Sequence, residues 1–219
     1  MNIAVTGSSS EIGRAIALKF LDEGNSVFGL DVRPGTIENE NYRHFMADVR
    51  DESFPSCPDE MPWPDIIISS AGTIEEKDAL EVNLKGAINF TEKYAVSPEL
   101  KSVLYIASAS ARNGAEFPYY VASKAGLVGF MKNLALKLAD RGITVNCISP
   151  GGVITRSNGH ILDSPELYSA VKAETLLGKW AEPEEIADLA YFLTVVNRSM
   201  TGEDILIDNG EMLKSNFIW

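Results

Sequence analysis

Tyr120 and Lys124 stand four residues apart, a spacing that puts both side chains on one face of a helix. A free phenol titrates near pH ~10 and is a poor base at neutral pH, but a neighbouring ammonium favours its ionised form. The pair is therefore suited to taking a proton from a substrate hydroxyl or returning one to it. Such pairs also arise by coincidence on helices, so the reading needs support from elsewhere in the chain. The apolar run Ser102–Ala107 supplies it, because it predicts a strand that delivers Ser108 to a sheet edge beside the start of the Tyr120 helix. A serine hydroxyl placed there can donate to a substrate oxygen on which charge develops, and Ser110 is the competing donor.

A second set of residues opens the chain. The apolar Asn2–Val5 runs into Thr6-Gly7-Ser8-Ser9-Ser10-Glu11-Ile12-Gly13 and then into helical periodicity. In that position a glycine turn lets backbone N–H groups and the helix dipole meet a pyrophosphate, with a tight strand-to-helix connection as the competing explanation. Asp31 ends the second strand, where a carboxylate can accept from the 2′ and 3′ hydroxyls of an adenosine ribose and repel a 2′-phosphate. NAD is therefore expected in preference to NADP, with Arg33 the nearby cation that could serve a phosphate. A positive nicotinamide ring would favour the Tyr120 phenolate further. The chemistry implied is proton removal by Tyr120 while hydride leaves to the cofactor.

These residues need a scaffold that brings distant segments to one edge. Apolar β-branched runs at Ile3–Val5, Ser26–Leu30, Arg43–Met46, Asp65–Ser69, Ser102–Ala107, Thr144–Ile148 and Ile205–Ile207 read as strands. Helical stretches at Ile12–Glu23, Ala79–Val96, Tyr119–Arg141 and Pro183–Val195 alternate with them, with Gly24 and Gly142 as stops. The rhythm predicts an α/β fold, a doubly wound parallel sheet of the Rossmann type in a single domain spanning 1–219. Pro55, Pro58, Pro62 and Pro64 fall where a third crossover helix belongs, so an extended loop is expected. The link Thr73–Glu81 is too short for a further helix after the fourth strand.

Length and composition agree with one globular domain: 219 residues, 45% hydrophobic and 23% charged. A net charge of −12 opposes nucleic acid and anionic lipid as partners. With no apolar run long enough to span a bilayer, no basic leader after Met1, and only Cys57 and Cys147 as thiols, a cytoplasmic location without membrane attachment is expected. His44 and His160 lack a second ligand at useful spacing, so no metal is expected.

In the order of its motifs the chain resembles the short-chain dehydrogenase/reductase family over essentially its whole length. Thr6–Gly13 is similar to the family's TGxxxGxG turn, Asp48-Val49 to its adenine-contacting pair, and Ser69-Ser70-Ala71-Gly72 to its NNAG segment. Val82-Asn83 stands at its helix asparagine, Ser108 with Tyr120–Lys124 at its serine and YxxxK, and Pro150–Thr155 at its PGxxxT segment. The resemblance implies that Lys124 binds the nicotinamide ribose, Ser108 polarises the substrate oxygen and Asn83 holds a water in a proton relay. It implies cofactor contacts at Gly7, Ser9, Ile12, Gly13, Asp31, Asp48, Val49, Ser70, Ala71, Gly72, Pro150, Gly151, Val153 and Thr155, besides Tyr120 and Lys124. Departures include Glu11 at the second motif glycine, Ser69-Ser70 for two asparagines, and Asp208-Asn209-Gly210 for Asp-Gly-Gly. The shortening after the fourth strand and Gly29–Arg33 are reminiscent of the hydroxysteroid dehydrogenase/carbonyl reductase branch.

The expected activity is NAD-dependent interconversion of a secondary alcohol and a ketone. A dinucleotide sensor without turnover and a lyase or epimerase that recycles NAD internally are the other readings. By the resemblance, residues 152–180 fold over the substrate, and Ile154, Ile161, Leu162, Leu167, Tyr168, Leu176, Leu177 and Trp180 would suit an apolar one. Arg156 and His160 are candidates to meet an anionic group. Small residues Ala122, Gly126 and Gly129 on the Tyr120 helix point to a homodimer or homotetramer, with packing onto its own sheet as the competing explanation. The apolar end Asn216–Trp219 is expected to dock on a neighbouring subunit or near its pocket.

Overall fold

Seven apolar runs pair into one parallel sheet in the computed structural model, which describes residues 1–51, 54–115 and 117–214. The strands are β1 (Asn2–Thr6), β2 (Ser26–Asp31), β3 (Tyr42–Met46), β4 (Ile66–Ser69), β5 (Ser102–Ile106), β6 (Thr144–Pro150) and β7 (Asp204–Ile207). Their order is β3-β2-β1-β4-β5-β6-β7, with every neighbouring pair parallel. The chain winds outward in opposite directions from β1 and β4, so a crevice opens between their carboxyl ends.

Eight α-helices accompany the sheet among the described residues: α1 (Glu11–Asp22), α2 (Glu76–Ala79), α3 (Ala87–Tyr94), α4 (Ser110–Asn113), α5 (Pro118–Leu138), α6 (Gly159–Leu162), α7 (Pro165–Ala173) and α8 (Pro183–Tyr191). The pleat sends alternate strand residues to opposite cores. Ile3 and Val5 pack with Ile16 and Phe20 of α1 and Ile186 of α8. Ala4, Val103 and Tyr105 face the other way, toward Phe90 of α3 and Met131 and Leu134 of α5. Both β4 and β5 are buried along their whole length, as a sheet covered on two faces requires. No helix among the described residues is long and apolar enough to cross a membrane.

Both expected shortenings are present. The helix expected over Ala79–Val96 begins three residues earlier, inside the Thr73–Glu81 link, as α2, and continues through a π-helical turn at Leu80–Gly86 into α3, with no separate helix between β4 and α2. The proline-rich crossover forms no helix over residues 54–64, and it covers the sheet by another means. Phe54 and Met61 are buried in the α3 core, with the Phe54 ring 5.9 Å from Phe90 and 6.2 Å from Tyr94. Tyr94 Oη donates to the Pro55 carbonyl at 2.8 Å and Ser97 Oγ to the Pro64 carbonyl at 3.0 Å, so α3 and its end satisfy loop carbonyls that a helix would have paired internally. The terminal residues Asn216–Trp219 lie outside the described residues.

A loop that plugs the core behaves differently from one that only crosses the surface. Phe54→Ala is expected to lower the unfolding free energy in urea by about 3–5 kcal/mol, as for a buried phenylalanine. A loss below about 1 kcal/mol, the size of a surface substitution, would contradict that role.

Candidate active site

The turn after β1 is compact enough to require its glycines. Gly7 has φ +72°, and a Cβ there would lie 2.8 Å from the Ala71 nitrogen. A Cβ on Gly13 would lie 2.2 Å from the Gly7 carbonyl oxygen. Thr6 Oγ1 accepts from the N–H groups of both Ser70 and Ala71 at 3.1 Å, which pins the end of β4 to the end of β1. Asp31, buried at the end of β2, accepts from Ser9 N–H at 3.0 Å and from Arg33 N–H and Nε at 2.9 and 3.3 Å. It thereby fixes both the glycine turn and the turn after β2.

Glu11 sits at the N-terminus of α1, where the dipole favours a carboxylate. Its carboxylate turns toward the backbone N–H and guanidinium of Arg156, at 3.4 and 3.5 Å. Asp48 chelates Arg50, with Nη2 at 2.6 Å, and that guanidinium holds the Asp48 carboxyl below the usual carboxylate range. Val49 packs so closely on the π turn that a Cβ on Gly86 would lie 2.4 Å from its side chain.

Strand β5 ends at Ile106, two residues before Ser108. Ser108 is buried, and its Oγ accepts from Ser110 N–H at 3.2 Å and Ser110 Oγ at 2.9 Å. Lys124 is buried on α5, where its Nζ donates to the Ile106 carbonyl at 2.9 Å and lies 5.7 Å from the centroid of the Tyr120 ring. The N-terminus of α5 is held from outside, since the Glu76 carboxylate accepts from the backbone N–H groups of Tyr119 and Tyr120. Asn83, in the π turn, accepts from Thr73 N–H at 2.7 Å and donates to the Thr73 carbonyl at 2.9 Å and to Ser123 Oγ at 3.0 Å. Ser123 Oγ in turn donates to the Tyr120 carbonyl at 2.7 Å. The Asn83 amide is thus engaged with three polar groups of two residues, Thr73 and Ser123, behind the site.

These elements enclose a cleft of about 390 Å³ at the carboxyl edge of the sheet. Ser70 and Gly72 reach it from β4, Ser108 and Ser110 from β5, and Pro150, Gly151, Val153 and Thr155 from β6, while Ile12 enters from α1 and Tyr120 and Lys124 from α5. Gly7, Ser9, Gly13, Asp31, Asp48, Val49 and Ala71 do not line it; the first six lie along the edge from β1 to β3, Ala71 follows β4, and Asn83 stands behind Thr73.

Residues 154–180 form a flap over the cleft whose neck is closed by the Val153–Ala181 bridge, with Ile154 N–H donating to the Ala181 carbonyl and Ala181 N–H to Gly152, both at 2.9 Å. Of the eight apolar flap residues singled out in the sequence, Ile161 and Trp180 line the cleft; Leu167, Leu176 and Leu177 are exposed. Arg156 and His160 do not line it either.

Two acidic residues that the sequence analysis passed over face the same space: Glu174, at the end of α7, and Glu211, in the turn after β7. Burial pushes the Glu211 carboxyl up, the Gly152 N–H beside it works the other way, and the nearby Asp208 and Glu174 push it further up. Its place after Asp208-Asn209-Gly210 was the only available signal, since nothing in local sequence says where that turn points. On α5, a Cβ on Gly126 would lie 2.9 Å from the Leu84 side chain, so this glycine packs within the chain, whereas Gly129 faces open space.

Comparison with known proteins agrees with this geometry. Residues 67–211 match the family model described as enoyl-(acyl carrier protein) reductase. Among curated relatives, D-threitol dehydrogenase of Mycolicibacterium smegmatis is 31% identical, with 96% of this chain and 92% of that one covered. (+)-Borneol dehydrogenase 1 of Salvia officinalis is 30% identical, with 94% and 91% covered. The solved structure of a 4-hydroxyisoleucine dehydrogenase mutant complexed with NADH and succinate superposes with a TM-score of 0.89 at 26% identity, over 99% of this chain and all of that one. A doubly wound sheet with a Gly7 turn, a serine and a Tyr/Lys pair at one edge, matched along its length by such relatives, makes this chain a member of the short-chain dehydrogenase/reductase family of oxidoreductases.

Proposed function

We propose that the chain uses NAD to interconvert a secondary alcohol and a ketone, with Tyr120 as the general acid and base. The convergence of Ser108, Tyr120 and Lys124 on one cleft at the carboxyl edge carries this reading. The residues present suit a dinucleotide. The Gly7–Gly13 turn has no room for side chains at its two glycines, and α1 begins directly behind it. Asp31 ends the neighbouring strand with a buried carboxylate suited to ribose hydroxyls. When bound, the nicotinamide would accept or return the hydride.

The remaining work falls to side chains. Ser108 Oγ already accepts from both Ser110 groups, so its own hydroxyl hydrogen is the one left to donate to a substrate oxygen; this supports Ser108 over Ser110. Tyr120 takes the carbinol proton, or returns it in reduction, and the ammonium of Lys124 near its ring favours the ionised phenol. Asn83 acts as a positioning residue, holding Thr73 in the cleft wall and the Tyr120 carbonyl through Ser123. The flap over 154–180 would exclude water once substrate is bound. Exposed Leu80, Tyr119 and Leu136 on α5 and the neighbouring π turn support self-association, and light scattering should return the mass of two or four chains.

Tyr120→Phe should lower kcat by about 100-fold to 10,000-fold in a spectrophotometric assay of NADH formation while NADH still binds; retained turnover would contradict Tyr120 as the acid and base. In fluorescence titrations NADH should bind at least about tenfold more tightly than NADPH, and Asp31→Ser should narrow that ratio. Equal affinities for the two nucleotides would contradict the role given to Asp31.

A further inference from the structure

The proposed reaction leaves one cleft side chain without a task. Among the described residues, four charged ones face the cleft: Glu11, Lys124, Glu174 and Glu211. Lys124 serves the reaction, Glu11 is turned toward Arg156, and Glu174 is exposed at the end of α7. Glu211 is half-buried, and among the described residues no lysine or arginine nitrogen comes within 4.0 Å of its carboxylate.

The turn that presents Glu211 is built to hold it. Asp208 accepts from Gly210 N–H at 2.9 Å and from Met212 N–H at 2.7 Å, closing the turn from within. Asn209 and Gly210 both adopt positive φ, +55° and +82°, and a Cβ on Gly210 would lie 2.8 Å from Leu176. The Asn209 carbonyl accepts from the N–H groups of Leu176 and Leu177, which ties the turn to the base of the flap. On the other side, Asn113 Nδ2 contacts Met212 Sδ at 3.2 Å, linking it to the segment that carries Ser108. The Glu211 carboxylate itself rests on the β6 edge, with one oxygen 2.9 Å from where a Cβ on Gly151 would be. A half-buried carboxylate held in a braced turn at the cleft wall, with no cation beside it among the described residues, is a hydrogen-bond acceptor that a substrate donor can complete.

We propose that Glu211 is a specificity-determining residue that accepts a hydrogen bond from a hydroxyl next to the reacting carbinol, which makes the substrate a small uncharged diol or polyol. The inference rests on the alcohol–ketone reading above and names its substrate class. An anionic substrate would meet Glu174 and Glu211 as like charges, and a cationic one would meet the Lys124 ammonium at the reacting end. A purely apolar alcohol would strip water from Glu211 and give nothing back. The neutral donors and acceptors nearby, Ser110, Asn113 and Asn158, complement further hydroxyls.

The test compares four alcohols that share a methyl carbinol and differ in one substituent: 2-butanol, 2,3-butanediol, lactate and 1-amino-2-propanol. With NAD present, kcat/KM for the diol should exceed that for each of the others by about tenfold or more. Glu211→Ala should bring the diol-to-2-butanol ratio close to one whatever its absolute rate, and Glu211→Gln, whose amide oxygen still accepts, should keep part of the preference. Melting curves establish that both variants are folded. Equal kcat/KM for diol and 2-butanol, a preference for lactate or the amino alcohol, or a ratio unmoved by Glu211→Ala overturns the role of Glu211 while leaving alcohol oxidation standing. Failure of the unaltered protein to reduce NAD with any of the four overturns the alcohol–ketone reading, and this proposal with it.

Discussion

A lysine ammonium withdrawn from water is stable only where the fold supplies it with oxygen, and the site depends on how this chain does so for Lys124. The Ile106 carbonyl, at the last residue of β5, accepts from Nζ at 2.9 Å. A strand end and a helix face are thereby joined through one hydrogen bond, and the charge is delivered near the Tyr120 ring. The position is further confined at Gly72, where an added Cβ would lie 3.3 Å from both Lys124 Nζ and Asn83 Oδ1. Any side chain there would press on the ammonium and on the amide that steadies the Tyr120 helix. The acid–base chemistry proposed for Tyr120 thus follows from a packing arrangement that spans β4, β5, the π turn and α5.

The parallel sheet turns that local arrangement into a site. All strands end on the same side, so segments as distant as Gly7, Ser108, Gly151 and Glu211 approach one edge without any of them being near another in sequence. Two devices do at the sheet what a longer chain would do with helices. The loop over 54–64 inserts Phe54 and Met61 beneath α3, and α2 begins soon after β4, so the π turn carrying Asn83 arrives beside α5. The π turn shifts the helix register at Asn83, which is where the chain needs an amide to face Thr73 and Ser123.

The strands and the helices that pack on the sheet were legible because each carries its own period, whereas the short α4, α6 and α7 were not: Ile66–Ser69 is apolar throughout and emerges buried throughout, and the prolines after Arg50 exclude a helix by their own geometry. The Tyr120, Lys124 and Ser108 group was legible from spacing together with one predicted strand end. What could not be read is anything decided by which way a turn faces. The flap looked apolar in sequence, yet Leu176 and Leu177 stand exposed and Glu174 and Glu211 turn toward the cleft. Asn83 could be placed but not its partners, because Thr73 and Ser123 approach it only after α5 has packed on the π turn. Glu11, at a position where the family pattern has glycine, is drawn toward Arg156 from a flap more than a hundred residues away.

The central claim is that hydride moves between a carbinol carbon and the nicotinamide, and isotopic transfer tests it most directly. The protein is incubated with NAD and a secondary alcohol, 2,3-butanediol for example, deuterated at its carbinol carbons, and the NADH formed is examined by proton NMR. Stoichiometric deuterium at C4 of NADH, on one face of the ring, is the predicted result. Deuterium lost to solvent with NADH unlabelled, or alcohol altered with no net NADH, would contradict the account and point instead to the lyase or epimerase use of the same scaffold.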